Sequence, residues 1–134
     1  MPGLKKAEID GRLEAAGIDM VYVFCVNDGA VMTAWKKDQG LAGSEMNEFL
    51  ADTDASLTVA LGLVLTGEGK AYAQGDGPNK ALGFHTRRCK RSAMFVDNGV
   101  VKCMAIAEAP DDPAGDARPE VSCVENMLKL IEAL

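Results

Sequence analysis

The sequence has one histidine, His85. A Ser-His or Cys-His nucleophile pair therefore has one place to be built, and that residue alone does not argue for catalysis. The four cysteines, at 25, 89, 103 and 123, form no CxxC pair and no zinc-type spacing. Such scatter points away from a disulfide framework and toward a reducing compartment, cytosol or organelle stroma or matrix. No apolar run approaches the roughly 20 residues that span a bilayer. The start, MPGLKKAEID, is polar and lacks the pattern of a signal peptide. No internal repeat and no low-complexity tract is present. The glycines of residues 67–77 lack both Gly-x-Gly-x-x-Gly and Gly-Lys-Ser/Thr spacing, so a surface loop is expected there, not a phosphate cradle. The net charge of −6 argues against nonspecific nucleic-acid binding, so no nucleic-acid partner is expected.

What remains is an ordinary globular composition. The 134 residues, 48% hydrophobic and 25% charged, suit one domain over 1–134 with a core that needs no staple. Leu4, Ile9, Leu13 and Ala16 fall at helical spacing, and Gly17 is placed to close that helix. Residues 20–26, MVYVFCV, form a continuous apolar run and predict a buried strand with a parallel neighbour. Asn27 or Asp28 is then expected to cap a helix over 30–39 with Val31, Ala34 and Trp35 inward. A strand is expected over 48–52, then an apolar-faced helix capped by Thr53 or Asp54. Residues 66–80 and 110–120 predict polar loops. Two apolar runs, 92–96 and 100–106, flank Asp97-Asn98-Gly99, which is a strong hairpin signal. A closing helix is expected from Ser122 as N-cap, with Glu125 three residues on and Val124, Leu128 and Ile131 inward. The order is α-β-α-β-α-β-β-α, one of several α/β layouts that pattern alone allows.

Four segments taken together are more specific. VNDGAVMTAW, LADTDASLTVALGL, KRSAMFVDNGVVK and EVSCVENML occur in the order and nearly the spacing found in type-5, or type II atypical two-cysteine, peroxiredoxins. The chain resembles that family over most of its length. The resemblance implies a thioredoxin-like α/β fold and a thiol-dependent peroxidase ancestry. It implies no metal or organic cofactor, a thioredoxin or glutaredoxin-type reductant, and a homodimer or a subunit of a larger complex.

One part of the family pattern is missing. The family's peroxidatic cysteine lies in a Thr-Pro-x-Cys loop, which this sequence does not contain, and MPGL resembles the end of the segment that follows it. The expectation is an N-terminally truncated scaffold, inactive alone, or a non-catalytic structural subunit derived from it. The strands carrying Phe24 and Phe95 would then flank an unfilled central position of one sheet. Finding those strands in separate sheets would count against that picture.

Arg91, before Ala93-Met94, matches the family's active-site arginine, whose role is to hold the thiolate and the peroxide oxygen. Arg88 is the alternative, because FHTRRCKR runs a few residues longer than the family pattern and Ser92 stands where an aromatic is usual. A solvated basic edge is the competing reading for the whole run. Cys123 lies near the resolving cysteine of animal members, although its place also suits a helix start. Cys89 sits among cations that should lower its pKa, making it the expected most reactive thiol. Cys25 is expected to be a buried, inert thiol, two residues beyond a cysteine seen in some plant members. Cys103 is assigned to packing.

Overall fold

The computed structural model describes residues 3–65, 87–112 and 114–134. The loop expected over 66–80, the glycine run and His85 lie outside the described residues. The first helix is two helices, α1 (Leu4–Ile9) and α2 (Arg12–Ala15). The break falls at Gly11, whose φ of 69° is a left-handed conformation that interrupts the helix. Leu4, Ala7 and Leu13 still bury on one side, where they meet Leu41 and are joined by Ile18, Val21, Val23, Phe49, Val124 and Leu128. Helical spacing thus survives the break, because both short helices present their apolar positions to the same core.

Strand β1 (Val21–Cys25) pairs in parallel with β2 (Asn47–Ala51), in register from Val21 opposite Asn47 to Cys25 opposite Ala51. The parallel partner agrees with the sequence. Full burial does not, since Tyr22 is 59% exposed. The crossover between the two strands carries α3 (Gly29–Asp38), as a parallel pair requires. Its inward residue is Met32, while Val31 and Ala34 are exposed. Trp35 packs edge-on against Phe49 of β2, with ring centroids 5.2 Å apart. Asp28 occupies the N-cap position of α3, but no side-chain cap bond is made there.

At the start of β2 a buried polar knot replaces apolar packing. The Asn47 amide donates to Glu8 Oε2 at 2.7 Å, and the Ser44 hydroxyl donates to Glu8 Oε1 at 2.7 Å. Asn47 is fully buried, so a charged acceptor on α1 positions the strand that lies beside it. Asn47→Ala is expected to lower stability by about 2 kcal/mol, the value of a hydrogen bond to a charged group plus a small void. Urea denaturation checks this, and a change under about 0.5 kcal/mol, the usual surface value, would contradict it.

After β2 the chain turns through Asp52 into α4 (Ser56–Ala60), which is much shorter than the apolar pattern suggests. Gly62, at φ 68°, ends it. Strand β3 (Ser92–Asp97) and β4 (Val100–Ile106) form the antiparallel hairpin, with a bulge between Phe95 and Val96. Asn98 and Gly99, at φ 49° and 77°, make the turn with both central residues left-handed, which is what an Asn-Gly hairpin needs. The closing helix α5 (Val124–Glu132) begins one residue later than expected, with Cys123 at the N-cap position. Glu125 does not turn back to cap it, because Arg12 of α2 takes its carboxylate at 2.7 Å. Val124 and Leu128 do face the core, together with the more deeply buried Met127. No helix among the described residues is long and apolar enough to cross a membrane.

The two strand pairs are separate two-stranded sheets among the described residues. The picture of one sheet with a guest strand between Phe24 and Phe95 therefore does not hold as stated. Each of those strands has one ladder partner, β2 for β1 and β4 for β3. Among the described residues, one link between the two halves is a short antiparallel backbone contact. Leu65 N donates to Arg88 O and Lys90 N donates to Leu63 O, both at 2.7 Å. This contact fixes residues 88–90 as extended backbone leading into β3.

Candidate functional site

Parallel strands in α/β folds gather their chemistry at their carboxyl ends. Here that edge holds Cys25, Val26 and Asn27 from β1 and Asp52 from β2. The Asp52 amide donates to Cys25 O at 2.9 Å, which ties the two strand ends together.

The basic run 87–91 is spread over three places by its partners. Arg88 turns inward and its Nη1 donates to Val26 O at 2.9 Å, next to Cys25. Lys90 reaches Glu108 at 2.9 Å. Arg91 Nη2 donates to Asp116 Oδ1 at 2.9 Å, and its side chain is 44% exposed. Of the two candidate arginines, Arg88 is therefore the one held at the carboxyl end of β1, while Arg91 is engaged with the loop before α5. Sequence register favoured Arg91. The backbone contact between 63–65 and 88–90, which sets the direction of Arg88, leaves no signal in local pattern.

Cys123 has a local partner of its own. Its sulfur donates to Pro119 O at 3.1 Å across the short 3₁₀ turn Pro119–Ser122. Cys103 sits in β4 opposite Phe95, half-buried.

Cys89 pairs with Val64 in a contact between residues 63–65 and 88–90, and its thiol and that of Cys25 perturb each other's ionisation. All four cysteines are free and half-buried. The neighbouring Cys89 thiol pulls the Cys25 thiol down to about 6 against the opposing effect of burial. The Asn27 amide, at 4.0 Å, the Arg88 charge and the Val26 amide act in the same direction. Cys89 is pushed up, first by the Cys25 thiol and then by burial. The expectation from sequence is thus reversed. Cations adjacent in sequence do not activate Cys89, since the nearest one, Arg88, faces Cys25. The thiol expected to be inert is the one pulled down, and the one expected to be reactive is pushed up.

On the other side of the strand ends, Asp52 closes α4. It is 6% exposed. Its Oδ2 accepts from Thr58 N at 2.8 Å and from the Thr58 hydroxyl at 2.6 Å, and its Oδ1 accepts from Leu57 N at 3.0 Å. Burial pushes this carboxyl up, but the donors of Thr58, Leu57 and Ser56 outweigh it and hold it below its ordinary value. Among the described residues no cluster of three or more His, Cys, Asp or Glu side chains could hold a metal ion.

A cysteine at the carboxyl end of a parallel strand pair, beside an arginine and followed by a β-hairpin and a helix, marks an α/β protein with a thiol at its strand ends. Comparison with known proteins makes the class specific. The Redoxin family model matches residues 4–128, so the chain belongs to that family. It is 35% identical over 109 residues to the rice (Oryza sativa subsp. japonica) protein Peroxiredoxin-2E-2, chloroplastic, covering 81% of this chain and 42% of that one. It is 34% identical over 115 residues to Hybrid peroxiredoxin hyPrx5 of Haemophilus influenzae, covering 86% of this chain and 39% of the other. The crystal structure of oxidised Prx3 from Vibrio vulnificus superposes with a TM-score of 0.69 at 35% identity, over 97% of this chain and 66% of that one. Reduced Prx3 in complex with H2O2, from the same organism, gives 0.64 at 34% identity over 93% and 63%. The chain is a peroxiredoxin-family member with a thioredoxin-like fold, and it spans about two-fifths of the length of these two curated relatives.

Proposed function

We propose that this chain is the body of a type-5 thiol peroxidase, a scaffold for reduction of hydrogen peroxide and alkyl hydroperoxides by an external thiol, and that alone it does not turn peroxide over. The observation carrying this reading is a family match over 4–128 in a sequence with no Thr-Pro-x-Cys. Peroxide attack in this family needs a thiolate set among a threonine hydroxyl, helix N-terminal amides and an arginine. The sulfenic acid formed is then resolved by a second thiol. A thioredoxin or glutaredoxin-type protein would supply the electrons, and no metal or organic cofactor enters. Arg91 is the arginine that the resemblance suggests for holding thiolate and peroxide, with Arg88, bonded to Val26 O at 2.9 Å, as the alternative, and Cys123 is the resolving thiol that the resemblance suggests.

With excess dithiothreitol, hydrogen peroxide loss is expected to proceed no faster with this chain than with an equal concentration of a small free thiol. Sustained turnover beyond that rate would overturn the reading.

A second reading, a non-catalytic subunit of a larger assembly, has its own support. The β3–β4 ribbon exposes Val96, Val100, Val101 and Met104, with Val100 at 56%. Apolar side chains so exposed on one hairpin favour a covering partner. Sedimentation of the purified chain tests it, and a monomer at all concentrations would count against it.

A further inference from the structure

The residues of β1 and their place in the fold disagree. VYVFC is an uninterrupted apolar run, the pattern of a strand with neighbours on both sides. Yet β1 has one ladder neighbour, β2, and Tyr22 is 59% exposed. Backbone direction shows which edge is open. Val21 N donates to Met46 O and Cys25 O accepts from Asp52 N, so the odd-numbered residues of β1 face β2. The backbone groups of Tyr22, Phe24 and Val26 point the other way, because successive residues of a strand alternate their bonding edge. The same alternation runs into β3. Arg91 O accepts from Ala107 N, toward β4, whereas Arg88 O and Lys90 N bond to residues 63–65 on the opposite edge. That opposite edge continues into the backbone groups of Ser92 and Met94. Among the described residues neither open edge has a ladder partner beyond the 63–65 contact. Charge is absent from both, since residues 21–25 and 92–96 carry none, while β2 has Glu48 and β4 has Lys102. An open edge with neither charge nor proline is a template for another strand.

We propose that the open edges of β1 and β3 together take up one extended polypeptide strand from outside these 134 residues, uncharged and apolar on both faces. Tyr22 and Phe24 bond one side of it through their backbone groups, and Ser92 and Met94 bond the other, so that the two separate sheets become one. The two edges look toward each other where Arg88 Nη1 donates to Val26 O. A whole arginine side chain with its hydrogen bond lies between the two backbones there, in place of the direct ladder that strands about 4.8 Å apart would make. Two separate sheets rule out a strand already shared within the described chain and leave both edges open. The oxidised Prx3 structure superposes on 97% of this chain and has about a third of its own length left over, which makes that remainder the probe. The inference rests on the family fold and not on peroxidase activity, so the outcome of the dithiothreitol assay leaves it standing.

The test is residue-resolved amide hydrogen exchange of the full chain, alone and titrated with the part of Vibrio vulnificus Prx3 outside that superposition, made as a separate polypeptide. Alone, the amides of Tyr22, Phe24, Ser92 and Met94 should exchange faster than that of Val21, which is bonded to Met46 O. With the added segment at about 100 times its Kd, those four should slow about a hundredfold. Tyr22→Pro removes one outward N–H and leaves the bonds to β2 in place, so it should weaken or abolish the slowing. No slowing at any concentration of the segment would overturn the proposal. So would four amides already protected in the chain alone: protection independent of concentration would assign the edges to this chain's own residues, and protection that grows with concentration would assign them to a second copy. Exchange in the natural chain decides the matter even if the variant folds poorly.

Discussion

Asp52→Ala is expected to lower stability by about 3 kcal/mol, the largest loss of any single polar side chain described above. The carboxylate does the work of an N-cap from an unusual distance. Ala55 is in the left-handed region at φ 61°, which folds the chain back so that Asp52 lies under the first turn of α4. Three donors, Leu57 N, Thr58 N and the Thr58 hydroxyl, converge on it, and Thr58 is fully buried. Removing the acceptor leaves these donors in a place water does not reach. Loss of a cap costs up to about 2 kcal/mol, and a buried unsatisfied donor adds about 1 kcal/mol or more. With a urea m-value of about 2 kcal/mol per molar, the midpoint should fall by about 1.5 M. A shift below about 0.3 M would show that water reaches the helix start and that the carboxylate is dispensable.

The same residue sets a pH dependence. Its folded-state pKa is depressed, so its contribution is present above the unfolded-state value of about 3.9 and is lost as pH falls through the folded value. The stability gap between the natural chain and Asp52→Ala should therefore be constant near neutrality and close below about pH 4. The groups facing the carboxylate are Ser56, Leu57 and Thr58, with Asp54 as the nearby like charge. Asp54 opposes ionisation weakly and titrates in the same acid range, so comparison at matched pH removes its effect.

The outline of this molecule was legible from the residues because its signals are local. The Asn98-Gly99 turn between apolar runs, the apolar run of β1 and the amphipathic closing helix each state their own conformation. Four motifs in order carried the family. What escaped was non-local. Asp54 does take the first amide of α4, with its Oδ1 accepting from Ser56 N at 3.1 Å, but nothing in the pattern announces that a left-handed Ala55 brings Asp52 to the next two amides. The split of the first helix at Gly11 hides because the apolar spacing continues across it. The thiol assignments failed for a related reason. Charge near Cys89 in sequence was taken as charge near its sulfur, whereas the tertiary path sends Arg91 to Asp116 and Lys90 to Glu108 and gives Arg88 to the Cys25 side. The separation of the two sheets is also tertiary, since each strand's own sequence is compatible with either arrangement.

The alkylation rate of Cys25 is expected to change only about fourfold between pH 5.5 and pH 8, while that of a small free thiol changes more than a hundredfold. The reasoning concerns thiolate fractions alone. A thiol pulled down to about 6 is already about one-quarter ionised at pH 5.5 and almost fully ionised at pH 8. A free cysteine with a pKa of about 8.5 goes from about one part in a thousand to about one-quarter over the same range. Steric shielding of half-buried Cys25 scales its rate at every pH and cancels from the ratio. The groups that set the value are the Cys89 thiol, the Asn27 amide, the Val26 amide and the Arg88 guanidinium. Removing the first of them should matter most: in Cys89→Ala the midpoint of the Cys25 profile should move upward, and in Arg88→Ala it should move upward by less. Residue-resolved alkylation across that pH range reads all three profiles. A Cys25 profile that rises in parallel with the free thiol would mean that its sulfur is protonated at neutral pH, and that the contact with Cys89 leaves the proton where solution chemistry would put it.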